Sequence, residues 1–287
     1  MNARERYFWD LTGYLVVKGV LSEEEVARAN DIVDRYWDRV QVGGSTARES
    51  VVFAGTGRPM LPGVLEFPKP DCEPFREMLA HPVLVKYLNV MCDKGFRLDH
   101  GPMFIVSNKG TAGHTMHGNG DPHRPHVAYH HQNGKTWVGG VTVAWQLHDC
   151  KEGMGGFACV PSSHKAMFPM PKGVRTGDDD MDLIKQPVVE AGDVIFFMDS
   201  AQAHGATPWK LDTTRRSILF KYTGRTCARG GPSQEVSPPE IYWDREIVED
   251  MTPEQLSVMY GPYSNHKGRV PYLEVCDDGS VRIEGYQ

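Results

Sequence analysis

Gly192-Asp193-Val194-Ile195-Phe196-Phe197-Met198 is followed by Asp199-Ser200-Ala201-Gln202-Ala203-His204-Gly205, and then by Arg215-Arg216-Ser217-Ile218-Leu219-Phe220-Lys221-Tyr222. Gly192-Asp193 reads as a turn and the apolar run behind it as a strand. A second β-rich run begins at the two arginines. A histidine therefore leaves one strand, and an arginine enters the next 11 residues later. A barrel can bring both to one cavity. There an imidazole can bind a metal, and a guanidinium fork can hold the far carboxylate of a diacid through two hydrogen bonds.

Working outward, short β-rich runs separated by Gly and Pro turns continue upstream: Phe96–Leu98, Met103–Val106, Val138–Leu147, Phe157–Val160 and Pro187–Val189. Many short strands at this spacing imply a sandwich or barrel. Within the third run Val141, Val143, Trp145 and Leu147 share one face, and Thr142, Ala144 and Gln146 the other. The first third of the chain is different. After a short strand at Tyr14–Val17, Ser22 and Glu25 form a capping box, and Val26, Ala29, Val33 and Trp37 recur at helical spacing. Further helices are expected around Phe75–Leu79, stopping near Pro82, and around Leu84–Met91. Segments 114–135 and 172–182 read as loops, the second with Asp178, Asp179 and Asp180 as a solvated charge run. The expected organisation is one domain over 1–287, with a helical part to about 95, a β core to about 225 and an irregular extension from 226, interrupted by a helix near Pro253–Met259.

Composition narrows the function classes. The chain has 287 residues, 31 basic and 37 acidic, for a net charge of -6. Without a Lys/Arg run it lacks the electrostatic footprint of a nucleic-acid binder. No apolar run is long enough to span a membrane, and Met1–Asp10, with Arg4, Glu5 and Arg6, does not read as a signal peptide. A cytoplasmic location is expected. Six scattered cysteines with no C-x-x-C pair read as thiols, not as a zinc ribbon. Ser162, Ser163 and His164 lack a nucleophile elbow, so a hydrolase triad is not expected. No phosphate-binding glycine loop follows a strand, and H-E-x-x-H is absent.

Histidine is the unusual resource. Of 12 in the chain, six fall between His114 and His131. Such density suggests metal binding or proton chemistry, against the plainer reading of a polar loop.

These pieces stand in an order that resembles the phytanoyl-CoA dioxygenase-like family of iron(II)/2-oxoglutarate oxygenases. The resemblance runs from about Tyr14 to Tyr222. It is carried by Gly13-Tyr14-Leu15-Val16-Val17 before the capped helix, Met116-His117-Gly118, Trp145-Gln146-Leu147-His148-Asp149, Gly156-Phe157, Val160-Pro161-Ser162-Ser163-His164-Lys165, Gly192-Asp193, and the step from His204 to Arg215. It implies a mainly β fold, a double-stranded β-helix (a cupin-like jelly roll) with N-terminal helices packed on the barrel. It implies iron(II) as cofactor, 2-oxoglutarate and O₂ as co-substrates, oxidation of a small organic or natural-product substrate by hydroxylation or similar chemistry, and release of succinate and CO₂. His117 corresponds to the first iron ligand, with His114 as its alternative, and His204 to the distal one. Arg215 corresponds to the 2-oxoglutarate anchor. Arg216 is the runner-up, since strand alternation by itself does not choose between them.

The sequence departs from the family at the carboxylate ligand. His-x-Asp or His-x-Glu is the family's form, and here Asn119 stands in that place, with Asp121 two residues on as an alternative. An oxygenase completed by Asn119, water or Asp121 is the leading expectation. A halogenase with chloride at the open position and a non-catalytic cupin-like binding protein are the rivals. Met116, Tyr129, His130 and Trp137 are expected around the substrate, with Met103 and Trp145 as further walls, although Trp145 reads better as core. The residues do not name the substrate or the oligomeric state.

Overall fold

The computed structural model describes residues 1–119, 128–225, 227, 238–261 and 271–285. In chain order the elements are α1 (Ala3–Thr12), β1 (Tyr14–Val17), α2 (Glu23–Arg35), β2 (Gln41–Val42), β3 (Pro59–Leu61), α3 (Glu73–Glu77), α4 (Pro82–Met91), β4 (Arg97–Ser107), β5 (His114–His117), β6 (Tyr129–Gln132), β7 (Lys135–Val138), β8 (Val141–Gln146), β9 (Gly156–Cys159), α5 (Lys172–Thr176), β10 (Val194–Met198), β11 (His204–Thr207), β12 (Arg215–Thr223), α6 (Pro239–Tyr242), α7 (Arg245–Val248), α8 (Pro253–Val258), β13 (Tyr272–Val275) and β14 (Val281–Glu284). The protein is mainly β. Among the described residues one sheet runs β1-β10-β8-β12-β4-β3-β2 and a smaller one runs β5-β11-β9.

Two layers of side chains explain this arrangement. On β8, β10 and β12 alternate residues point to opposite faces. Val141, Val143, Trp145, Phe196, Ile218 and Phe220 share one buried cluster with Ala29, Ile32 and Val33 of α2 and Leu84, Val85 and Leu88 of α4. The other face carries Ala144, Ile195 and Phe197, which pack with Phe157 and Cys159 of β9 in the small sheet. The Phe157 and Phe197 rings meet at 4.5 Å between centroids, so the two sheets face each other there. The helix α2 begins as its residues dictate: the Ser22 side chain accepts from Glu25 N, and the Glu25 carboxylate accepts from Ser22 N.

Several expectations change. The loop expected over 114–135 contains β5 and the β6–β7 hairpin, and 172–182 contains α5. Pro187–Val189 is not a strand; Val189 makes a single bridge to Cys150. Among the described residues the C-terminal part, expected to be irregular, is built of regular elements. Its described residues form α6, α7, α8 and the β13–β14 hairpin, and Val248, Met251, Val258 and Leu273 join the helix-side core. The Arg76 guanidinium ties this part down by donating to the carbonyls of Leu65, Glu246 and Glu249. Among the described residues no helix is long and apolar enough to cross a membrane.

The turn before β10 has a measurable role. The buried Asp193 carboxylate accepts from Gly19 N at 2.9 Å, Glu190 N at 2.7 Å and Lys18 Nζ at 2.7 Å, joining β1 to β10. Asp193→Ala orphans two backbone donors, so a loss of about 3 kcal/mol is expected in urea unfolding. An unchanged midpoint would show that the turn holds without the carboxylate.

Candidate metal centre

Between the two sheets lies a cavity of about 250 Å³. It is lined by His114 and His117 from β5, His204 from β11, Arg215, Leu219 and Lys221 from β12, Met103 and Ile105 from β4, Phe157, Phe197, and Arg58, which precedes β3. Chain periodicity accounts for the β12 contribution. Ile218, Phe220 and Tyr222 face the helices, so Arg215, Leu219 and Lys221 face inward.

His117 and His204 are cross-strand partners on β5 and β11, and their rings lie 4.2 Å apart. His114 pairs with Ala206 in the same ladder, so three steps along β5 match two along β11. Regular alternation would send residues 114 and 117 to opposite faces. The irregularity puts both imidazoles in the same cavity, a recurrent use of a bulge beside a site. Met116 goes the other way, into a small buried cluster with Phe53 and Val160.

Each of the three rings is held by its Nδ1. That atom faces Thr115 O at 2.8 Å in His114, Thr115 O at 3.0 Å in His117 and Gln202 O at 2.9 Å in His204. A carbonyl can only accept, so Nδ1 carries the proton and the Nε2 lone pair is left for a ligand. Burial, then the neighbouring imidazole, lowers His117 to about 3 and His114 to about 4; burial likewise lowers His204. The rings are thus neutral donors at ordinary pH. Among the described residues no three His, Cys, Asp or Glu side chains stand close enough to hold an ion as they are. The donor chemistry nevertheless suits one, because two anchored imidazoles on adjacent strands present Nε2 to the same space.

The depressed imidazoles carry a consequence for stability. His81 and His164 are also lowered, chiefly by burial. Below the ordinary imidazole value of 6.5 the unfolded chain binds protons that these five sites refuse. Stability therefore rises with pH in this window and falls on acidification, by up to about 1.4 kcal/mol per pH unit per imidazole. The urea midpoint of metal-free protein should drop clearly between about pH 7 and pH 5; a level midpoint would contradict neutral burial.

Cations crowd the rest of the cavity. Arg215 is 4% exposed, and its Nε has no hydrogen-bond partner among the described residues. Gly156 makes room for it: a Cβ there would sit 3.1 Å from Arg215 Nε. Arg58 lies close enough to be lowered by burial and by the Arg215 charge. Among the described residues neither arginine pairs with a carboxylate. Lys221 pairs with Asp199 at 3.3 Å. Among the described residues the cavity lining carries three cations and no carboxylate, which suits an anionic ligand.

The remaining expected site residues lie elsewhere. Arg216 points outward on β12, where it donates to Asn30 O and Oδ1 and binds Asp34 on α2. Tyr129 and His130 line a separate depression with His164, and the Tyr129 hydroxyl donates to Asp10. Trp137 is 40% exposed on β7 and lines a third depression. Trp145 is fully buried against His81. Asn119 lines the Tyr129 depression, with a left-handed φ of 60°. Asparagine tolerates that conformation well, which gives it a backbone reason to be there. Asp121 falls outside the described residues. Arg58, Lys221 and Asp199 were not anticipated. Lys221 was detectable by its even spacing from Arg215; Arg58 and Asp199 carry no local signal.

A mainly β scaffold thus brings three anchored imidazoles and two arginines to one inter-sheet cavity. The chain belongs to the phytanoyl-CoA dioxygenase (PhyH) family, whose sequence profile matches residues 9–217. No curated protein sequence matches it. Among solved structures it is similar to HygX from Streptomyces hygroscopicus, crystallised with nickel, 2-oxoglutarate and hygromycin B bound. The TM-score is 0.65 at 19% identity, over 80% of this chain and 90% of that one. It is also similar to the epimerase SnoN of nogalamycin biosynthesis, in complex with Fe3+, alpha ketoglutarate and nogalamycin RO, with a TM-score of 0.55 at 21% identity over 78% and 83% of the two chains. The carbocyclase SnoK of nogalamycin biosynthesis gives 0.56 at 16% identity, over 80% and 87%. At these identities the likeness speaks for the fold.

Proposed function

We propose that this protein is an iron(II)- and 2-oxoglutarate-dependent oxygenase, one domain over 1–287 whose two sheets form a jelly roll, acting on a small organic substrate. The observation that carries the reading is one cavity in which His117 and His204 present Nε2 while Arg215, without a carboxylate partner among the described residues, enters from β12. The bound ligands of HygX and SnoN support it. Iron supplies O₂ activation when bound, with 2-oxoglutarate converted to succinate and CO₂ as a substrate carbon is oxidised.

The chain's own residues bind, orient and exclude. His117 and His204 hold the metal, their rings fixed by backbone carbonyls. Arg215 grips the far carboxylate of the diacid, and its burial strengthens that bond by removing competing water. Phe157 and Phe197 form an apolar wall at the rings, with centroids of Phe197 and His204 4.8 Å apart. That wall limits side reactions with solvent. Arg58 adds positive charge on the same side as Arg215.

The test is an anaerobic titration of metal-free protein with iron(II) and then 2-oxoglutarate, read by visible absorption. A metal-to-ligand charge-transfer band on adding 2-oxoglutarate is the expected result. Its absence from folded protein would remove the oxygenase reading and leave a binding protein.

A further inference from the structure

We propose that the depression beside Tyr129 is the seat of the substrate, and that the substrate is a neutral, ring-bearing molecule with a hydrogen-bond donor. This rests on the oxygenase reading above and gives it a substrate class.

The argument begins where the two histidine strands meet their neighbouring segments. Asn119, two residues past His117, and Ala201, three before His204, both line the depression. The two segments touch there. Gly118 has a φ of 90°, and a Cβ on it would sit 2.4 Å from Gln202 O. The segments that carry the imidazoles thus run on into the wall of the depression. A molecule seated there lies at the histidine end of the cavity, and neither Arg58 nor Arg215 is in its lining.

The lining names the chemistry. The depression holds about 600 Å³, within the range of small-molecule sites. Four rings line it, those of Tyr129, His130, His164 and Phe168. Among the described residues no Asp, Glu, Lys or Arg does. Asp10 and Lys165, which touch Tyr129, pair with each other at 2.9 Å. The inter-sheet cavity is the opposite, with three cations in its lining. An acid is drawn to the cavity, and an uncharged molecule loses least on entering the depression.

Two further features point to a ligand. Met167 and Phe168 are 89% and 83% exposed, so this rim keeps in water apolar surface that a ring would cover. Asn119 Oδ1 is buried without a hydrogen-bond partner among the described residues, an acceptor for a hydroxyl or N–H. The Tyr129 wall is set beforehand: its hydroxyl donates to Asp10, and its ring meets His164 edge-on at 4.9 Å between centroids.

The experiment uses full-length metal-free protein and N-phenyl-1-naphthylamine, a neutral probe with two ring systems and one N–H that brightens in apolar surroundings. Saturable binding to wild-type protein is expected, undisturbed by 2-oxoglutarate. Replacing Met167 and Phe168 together by alanine is expected to weaken it about tenfold or more. Ala166→Trp, which fills the seat from an exposed position, is expected to abolish it. No saturable binding, equal binding by these folded variants, or displacement by 2-oxoglutarate overturns the seat. With 2-oxoglutarate present, 8-anilinonaphthalene-1-sulfonate, the same rings with a negative charge, should bind about tenfold more weakly or worse. Equal affinity overturns the neutral class. In protein loaded with iron(II) and 2-oxoglutarate the neutral probe should shift the charge-transfer band, and an unmoved band overturns the substrate role. Wild-type protein without that band fails the oxygenase reading instead, while the metal-free titration still decides the seat.

Discussion

His204→Ala leaves the protein folded but unable to retain iron(II). His204 is 7% exposed, its Nδ1 is fixed by Gln202 O, and its ring packs between Phe197 and His117. It is therefore a preorganised donor, and its replacement removes one of two imidazoles paired across β5 and β11. Losing only a hydrogen-bond partner of a metal ligand costs 10- to 100-fold in affinity, so losing the ligand itself is expected to cost more than about 100-fold. The structural cost is separable. Alanine removes the ring with its N–H, so the carbonyl acceptor Gln202 O loses that partner. Metal content after anaerobic reconstitution reads the first effect and thermal unfolding of metal-free protein the second. Unchanged iron stoichiometry in folded variant would remove His204 from the centre.

Arg215→Ala raises the 2-oxoglutarate requirement by about 100-fold and leaves iron binding in place. A buried charge-assisted contact to a carboxylate contributes about 2–3 kcal/mol, which corresponds to that factor. The neighbouring residue is the control. Arg216 sits on the opposite face of β12 and ties the strand to Asn30 and Asp34 of α2. Arg216→Ala should cost about 1 kcal/mol of stability and shift the 2-oxoglutarate requirement less than about twofold. Charge-transfer intensity against 2-oxoglutarate concentration measures both variants. The reverse pattern would mean that Arg216, not Arg215, enters the cavity in solution.

These paired variants show where sequence reading succeeds and where it stops. Arg215 and Arg216 could not be separated by alternation, because β12 is buried on both faces. Ile218 and Phe220 meet the helices, while Leu219 and Lys221 meet the cavity. A period-2 pattern names a face only when the other face meets water. The same limit hid β5: His114-Thr115-Met116-His117 has no apolar alternation, because its polar side chains turn into a cavity. The aromatic residues near the histidines stay out of the histidine cavity for another reason. Tyr129 and Trp137 are close to His117 in sequence, but the β6–β7 hairpin carries them to other depressions.

What the sequence determined by itself is local. The Ser22–Glu25 capping box, the β10 and β12 apolar runs, and the His204-to-Arg215 step all depend on neighbours a few residues away or on strand period. They suffice for a mainly β chain and for a histidine and an arginine that a barrel can bring to one cavity. The tertiary structure decided everything that depends on which distant strands meet. It set the bulge that turns both His114 and His117 inward, the entry of Arg58 beside Arg215, and the approach of Asp199 to His204 across the sheet crossing. The reason is physical. A side chain's role as donor, anchor or plain core is set by burial and by partners far off in sequence, and no local pattern records those.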